Sequence, residues 1–116
     1  MIMKRFIVLA APLLLVGCST FSSSAPQDWH QVGYQDGARG AVARSYAQLG
    51  NISATQQSEY DDGYNEGVRD YCHPNFAYQI GISGQQYQGV CDGMKQGQKF
   101  RLEWQRGYDV YQNSAM

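Results

Sequence analysis

The chain has 116 residues, enough for one domain, and carries nine basic and ten acidic side chains. Nine basic groups less Lys4 and Arg5, which a 17-residue leader would remove, leave seven against ten acids, a formal charge of −3; no nucleic-acid partner is expected without a concentrated basic face. Nine Tyr and two Trp, with few Leu or Ile after Val16, exclude a bulky aliphatic core and favour one built on rings and glycine contacts, for which a covalent staple is useful.

Residues 1–5 carry Lys4 and Arg5, and residues 6–16 are uninterruptedly apolar. That run is too short to cross a hydrocarbon core of roughly 30 Å as a permanent helix, and it reads as a secretory leader. Leu15-Val16-Gly17-Cys18 then matches the bacterial lipobox, an aliphatic residue two places before a small one and an obligatory cysteine. The alternative is an ordinary leader in which Cys18 is incidental. The lipobox predicts a signal peptide over residues 1–17, cleavage before Cys18 and lipid on its sulfur. Several acyl chains hold a domain on a membrane stably, where one does so marginally. Ser19 rather than Asp after the cysteine points to the periplasmic face of the outer membrane, by analogy with enterobacterial lipoproteins. Residues 18–27, Ser-rich with one Pro, form a flexible tether reaching roughly 30 Å when extended. A single folded domain is expected over residues 28–112.

Within that domain the chain resembles itself. Gly33-Tyr34-Gln35-Asp36-Gly37-Ala38-Arg39 aligns with Gly63-Tyr64-Asn65-Glu66-Gly67-Val68-Arg69 thirty residues on, and with Gly93-Met94-Lys95-Gln96-Gly97-Gln98-Lys99 thirty further. A truncated echo follows at Gly107-Tyr108-Asp109. A period of about 30 residues suggests one supersecondary unit that cannot bury its face alone. Tyr60, Tyr64, Val68 and Tyr71 step by 4, 4 and 3, a single helical stripe, and Val90, Met94, Gly97, Trp104, Tyr108 and Tyr111 behave similarly. Asp28 suits the N-cap of a first helix, and Ser53 or Thr55 that of a second. Six repeat glycines oppose helix by about 1 kcal/mol each, so close backbone approach must offset them. The rival reading places turns between short strands; helices are favoured. The run Gly89, Gly93, Gly97 is too polar between its glycines to span a bilayer. Residues 73–84, with Pro74, Gly81 and Gly84, read as an ordered loop holding at most a short turn, and residues 112–116 as a fraying end.

Once Cys18 is lipidated, Cys72 and Cys91 remain, and two leftover thiols in an oxidising compartment are expected to pair as a disulfide. A metal site of Cys72, His73 and Cys91 lacks a fourth ligand at a recognisable spacing, so no metal and no cofactor is expected. Catalytic motifs are absent, and the chain is not expected to be an enzyme. Asp36, Glu66, Asp70 and Asp92 could supply a carboxylate pair for glycan cleavage, but with Arg39 and Arg69 at i+3 from the first two they read as solvated ion pairs, and His30 as a surface residue. Tyr60, Tyr64, Tyr87 and Tyr108 are the candidate binding residues, suited to stacking on sugar rings or docking a partner. The favoured reading places them in the core against the glycine faces.

The series Trp29-x3-Gly33-Tyr34-x-Asp36-Gly37, Tyr60-x2-Gly63-Tyr64-x2-Gly67-x3-Tyr71-Cys72 and Gly81-x2-Gly84-x2-Tyr87-x-Gly89-Val90-Cys91 resembles the short proteobacterial lipoproteins of domain of unknown function 2799, the YfiL-like proteins. The resemblance implies an envelope lipoprotein and brings no activity or catalytic residue. The expectation is a mainly α protein, a small bundle of glycine-rich helices from a repeat of about 30 residues, stapled by a disulfide. Its role would be that of a non-catalytic structural or interaction module on the outer membrane. Its partners would be the membrane, through the N-terminal lipid, and an envelope protein or glycan. The alternative is a peptidoglycan- or glycan-binding module, or an inhibitor of a wall-cleaving enzyme.

Overall fold

The computed structural model describes residues 27–114, which form four helices and contain no strand: α1 (Trp29–Ala38), α2 (Ala54–Tyr71), α3 (Pro74–Ile82) and α4 (Gly97–Ser114). The leader, Cys18 and the tether up to Pro26 lie outside the described residues. Among the described residues, no helix is long and apolar enough to cross a membrane.

Local chemistry sets the helix starts. The Asp28 carboxylate accepts from the Gln31 N–H at 3.1 Å. Ser53 and Gln56 form a reciprocal capping box, each side chain accepting from the other's backbone N–H, at 3.2 and 2.9 Å. Pro74 occupies the first turn of α3, where its missing N–H leaves no bond unmade.

The helices pack in two pairs, α1 with α2 and α3 with α4. In the first, Gly33 lies against the backbone of Tyr60 and Tyr64, and Gly37 against that of Tyr64 and Val68. Gly63 and Gly67 return the contact against His30 and against Tyr34 and Ala38. Contacts advance in the same direction along both helices, so α1 and α2 run parallel and residues 39–53 are a crossover. Each of these glycines lets carbonyl oxygens of the neighbouring helix approach where a Cβ would collide, which explains how α1 and α2 tolerate them. In the second pair, Gly81 lies against Trp104 and Tyr108, and Gly107 against Tyr78 and Ile82, again in parallel.

Three regions depart from the sequence-based expectation. Residues 74–82 are a nine-residue helix rather than a loop; Pro74 opens it and Gly81 is an interface residue, not a breaker. Residues 89–96 are turns rather than helix, Gly93 faces open space, and α4 starts only at Gly97. At the other end α4 continues through Gln112 to Ser114.

The core has two parts. One, built on Leu49, Ile52 and Tyr60, fills the first pair beneath its crossover. The other, built on Tyr71, Cys72, Cys91, Phe100 and Trp104, joins the pairs. There the end of α2 meets the start of α4, with the Tyr71 and Phe100 rings 5.2 Å apart. The Cys72–Cys91 disulfide lies in this junction with a Cα separation of 5.5 Å, and both cysteines are fully buried.

Candidate functional site

The most concentrated polar chemistry surrounds Asp36, on the face of α1 between Gly33 and Gly37. Asp36 is 4 % exposed, and its carboxylate receives Arg39 Nη2 at 2.9 Å, Arg44 Nε at 2.8 Å and the Tyr60 hydroxyl at 2.8 Å. The Arg44 N–H donates in turn to the Tyr60 oxygen at 3.0 Å. Asp36 is therefore a buried, charge-assisted knot tying the crossover to both helices of its pair, not the solvated ion pair expected from its spacing to Arg39. Sequence reasoning missed Arg44, which lies eight residues from Asp36 across a turn. The available signal was the position of Asp36 on the glycine face.

A second knot lies in the other half. Tyr87 donates to Asp92 at 2.8 Å and accepts from the Cys91 N–H at 3.0 Å, while Arg101 pairs with Asp92 and sits 5.0 Å over the Tyr87 ring. Burial, aided by the Asp92 hydrogen bond, pushes the Tyr87 phenol up to about 12. The Arg101 and Tyr87 hydrogen bonds hold Asp92 below its usual value. Glu66 pairs with His30 at 3.1 Å, with both side chains about half exposed. Asp70 accepts from the Tyr34 hydroxyl at 2.6 Å. The four acids considered for catalysis thus have four different sets of partners. Among the described residues, no group of three or more His, Cys, Asp or Glu could hold a metal ion.

The four candidate tyrosines fall into two separate clusters. Tyr60 is fully buried and stacks with Tyr64 at 6.2 Å, and Tyr64 donates to the Ala41 carbonyl at 2.9 Å. Tyr87 and Tyr108 flank Trp104 at 5.8 and 4.9 Å. All four rings are buried or half-buried, and they do not converge on one groove. Only Tyr64 lines the surface groove of about 400 Å³ between α2 and the turn at residues 90–94, together with Asn65, Val68, Arg69, Val90 and Met94. Cys18 lies outside the described residues, and Cys72 and Cys91 form the staple already described.

A family model described as protein of unknown function (DUF2799) matches residues 28–109, from the N-cap of α1 to the last turns of α4. No curated protein and no solved structure matches the chain.

Proposed function

The chain belongs to the DUF2799 family of proteins of unknown function, and from that premise we propose that it is a non-catalytic structural or interaction module, tethered by lipid on Cys18 to the periplasmic face of the outer membrane. The observation that carries the non-catalytic part is that the four acids considered for glycan cleavage are dispersed, each held by its own partners. The most buried carboxylate, Asp36, has two guanidinium partners and a phenol, which occupy three of its roughly four acceptor positions in a structural role. The anchor rests on Leu15-Val16-Gly17-Cys18. The repeat expected from the sequence is better drawn as two copies of a parallel pair. Within each pair the contacts are reciprocal: Gly37 on Tyr64 mirrors Gly67 on Tyr34, and Gly81 on Trp104 mirrors Gly107 on Tyr78.

A glycan-binding role is the second reading, favoured by the groove in which Tyr64 offers a ring beside Asn65 and Arg69.

One preparation tests both parts. The mature protein, isolated from envelopes, should carry acyl groups on an amino-terminal Cys18 by mass spectrometry, and a Cys18→Ser variant should leave the outer-membrane fraction. The same sample incubated with peptidoglycan should release no new fragments. An unacylated Cys18 would remove the anchor; fragment release abolished by Asp92→Asn would establish an enzyme.

A further inference from the structure

The ion pair expected between Glu66 and Arg69 is not made. Glu66 contacts His30 of α1 at 3.1 Å instead, and Asp70 accepts from Tyr34 of α1 at 2.6 Å. Arg69 lies on the other flank of α2, exposed and in no ion pair among the described residues. Asn65, four positions earlier, shares that flank. The two polar side chains rim the groove of about 400 Å³ whose apolar lining is Val68, Val90 and Met94. Its far wall is fixed at two points. Cys91, between Val90 and Met94, is bonded to Cys72 at the end of α2, and its backbone packs on Gly97 at the start of α4. Within the turn, Asp92 N–H donates to the Gly89 carbonyl at 3.2 Å and Met94 N–H to that of Cys91 at 3.0 Å. The groove is therefore preformed where the two pairs meet.

We infer that this groove binds the carboxylate end of the peptide arms of peptidoglycan, with Arg69 and Asn65 on the carboxylate and the terminal alkyl group against Val68, Val90 and Met94. The inference deepens the glycan-binding reading of the same groove and rests on it, naming the part of the wall polymer that is held. A guanidinium fork beside a carboxamide matches the planar, two-oxygen geometry of a carboxylate. One cation suits one negative charge: α2 carries five acids around Arg69, which would repel a phosphate or a polyanion. The apolar lining next to the fork calls for an apolar substituent close to the carboxylate, as in a peptide that ends in alanine. Two features select the wall over a protein tail. The described residues contain no strand whose edge could pair with an extended tail. An exposed charge contact is also weak alone, and a polymer that repeats the same end beside lipid-anchored copies turns weak contacts into retention.

The test sediments the mature lipoprotein, in mild detergent, with insoluble peptidoglycan sacculi. The wild type should co-sediment, less so as salt rises. Arg69→Gln should weaken binding by about tenfold, the effect of losing one charge-assisted hydrogen bond. Lys99→Gln, which removes an exposed charge from α4 instead, should change it by less than about twofold. Both variants should keep the Cys72–Cys91 disulfide and the wild-type melting midpoint. Sacculi stripped of their peptides, or with the peptide carboxylates amidated, should retain the wild type as poorly as intact sacculi retain Arg69→Gln. Nuclear magnetic resonance locates the contact: millimolar alanyl-alanine should shift the Asn65 side-chain amide and the Met94 methyl, and its carboxamide should not. Binding kept by glycan strands stripped of peptide would overturn the inference and leave the glycan reading standing. Equal binding by Arg69→Gln would overturn it as well, and no binding to any sacculi would remove both readings. A longer peptide with the same carboxyl end that binds far more tightly than the dipeptide would make the occupant a protein tail and overturn the wall assignment.

Discussion

Gly67→Ala separates packing from propensity, because the two act with opposite sign. In an exposed helix the substitution stabilises by about 1 kcal/mol. Here the new Cβ would collide with the Tyr34 carbonyl oxygen and lie 2.6 Å from Ala38 N and 3.0 Å from Gly37 C. Ordinary contact begins at 3.4 Å, so α1 and α2 must part by about 0.8 Å to clear Ala38 N alone. All three neighbours are backbone, which cannot rotate away as a flexible side chain would. Overpacking of this kind costs about 3 kcal/mol at the upper end of its usual range. The net loss is then about 2 kcal/mol, a fall in melting midpoint of roughly 8–16 °C for a domain of this size. Thermal unfolding followed by far-ultraviolet circular dichroism, with the disulfide intact, measures it. Gly93→Ala is the control: nothing lies within 4 Å of the added carbon, and its midpoint should be unchanged or slightly raised. A Gly67→Ala protein as stable as the wild type would refute the reasoning, since the glycines would then not be contact residues.

Asp36→Asn removes the charge facing Arg39 and Arg44 and should cost about 3 kcal/mol in urea unfolding, whereas Tyr60→Phe should cost about 1 kcal/mol; additive losses in the double variant would show that the knot is not coupled. Replacing both Cys72 and Cys91 by Ala should destabilise by about 3 kcal/mol, reading the 19-residue separation as loop length in the chain-entropy model, and an unchanged denaturation midpoint would contradict a constraining role. The raised Tyr87 phenol means that the folded chain holds a proton that the unfolded chain releases near pH 10. The stabilisation from Tyr87 is therefore complete below pH 10 and is lost between about pH 10 and 12. Tyr87→Phe should flatten that fall, and phenolate absorbance should show one ring fewer titrating late.

The starts of α1 and α2 were legible because they are local: Asp28 and Ser53 cap through bonds spanning three residues. The two glycines four apart in α1 and α2 also marked true interfaces. The same spacing misled at residues 89–97, and Gly81 was passed over beside Pro74 as loop chemistry. A glycine that admits a neighbouring backbone and one that makes a turn look alike in sequence; only the burial around them differs. Parallel pairing was hidden for another reason. A crossover of fifteen residues leaves direction to be set by distant contacts such as Leu49 and Ile52 on Tyr60. The Asp36 knot needed Arg44 and Tyr60, brought together only once that crossover folds.

The modular closure of the two pairs has a consequence for biogenesis. Every glycine contact of α1 is met by residue 71, so a chain delivered amino end first can finish its first pair before the second exists. At that moment the edge carrying Tyr71 and Cys72 is bare and the thiol has no mate. Arrival of Cys91 and Phe100 closes both exposures together, so oxidation of the sulfurs becomes a checkpoint on whether the trailing half has docked. A reductant present during emergence should trap chains whose leading half resists protease and whose trailing half is cut.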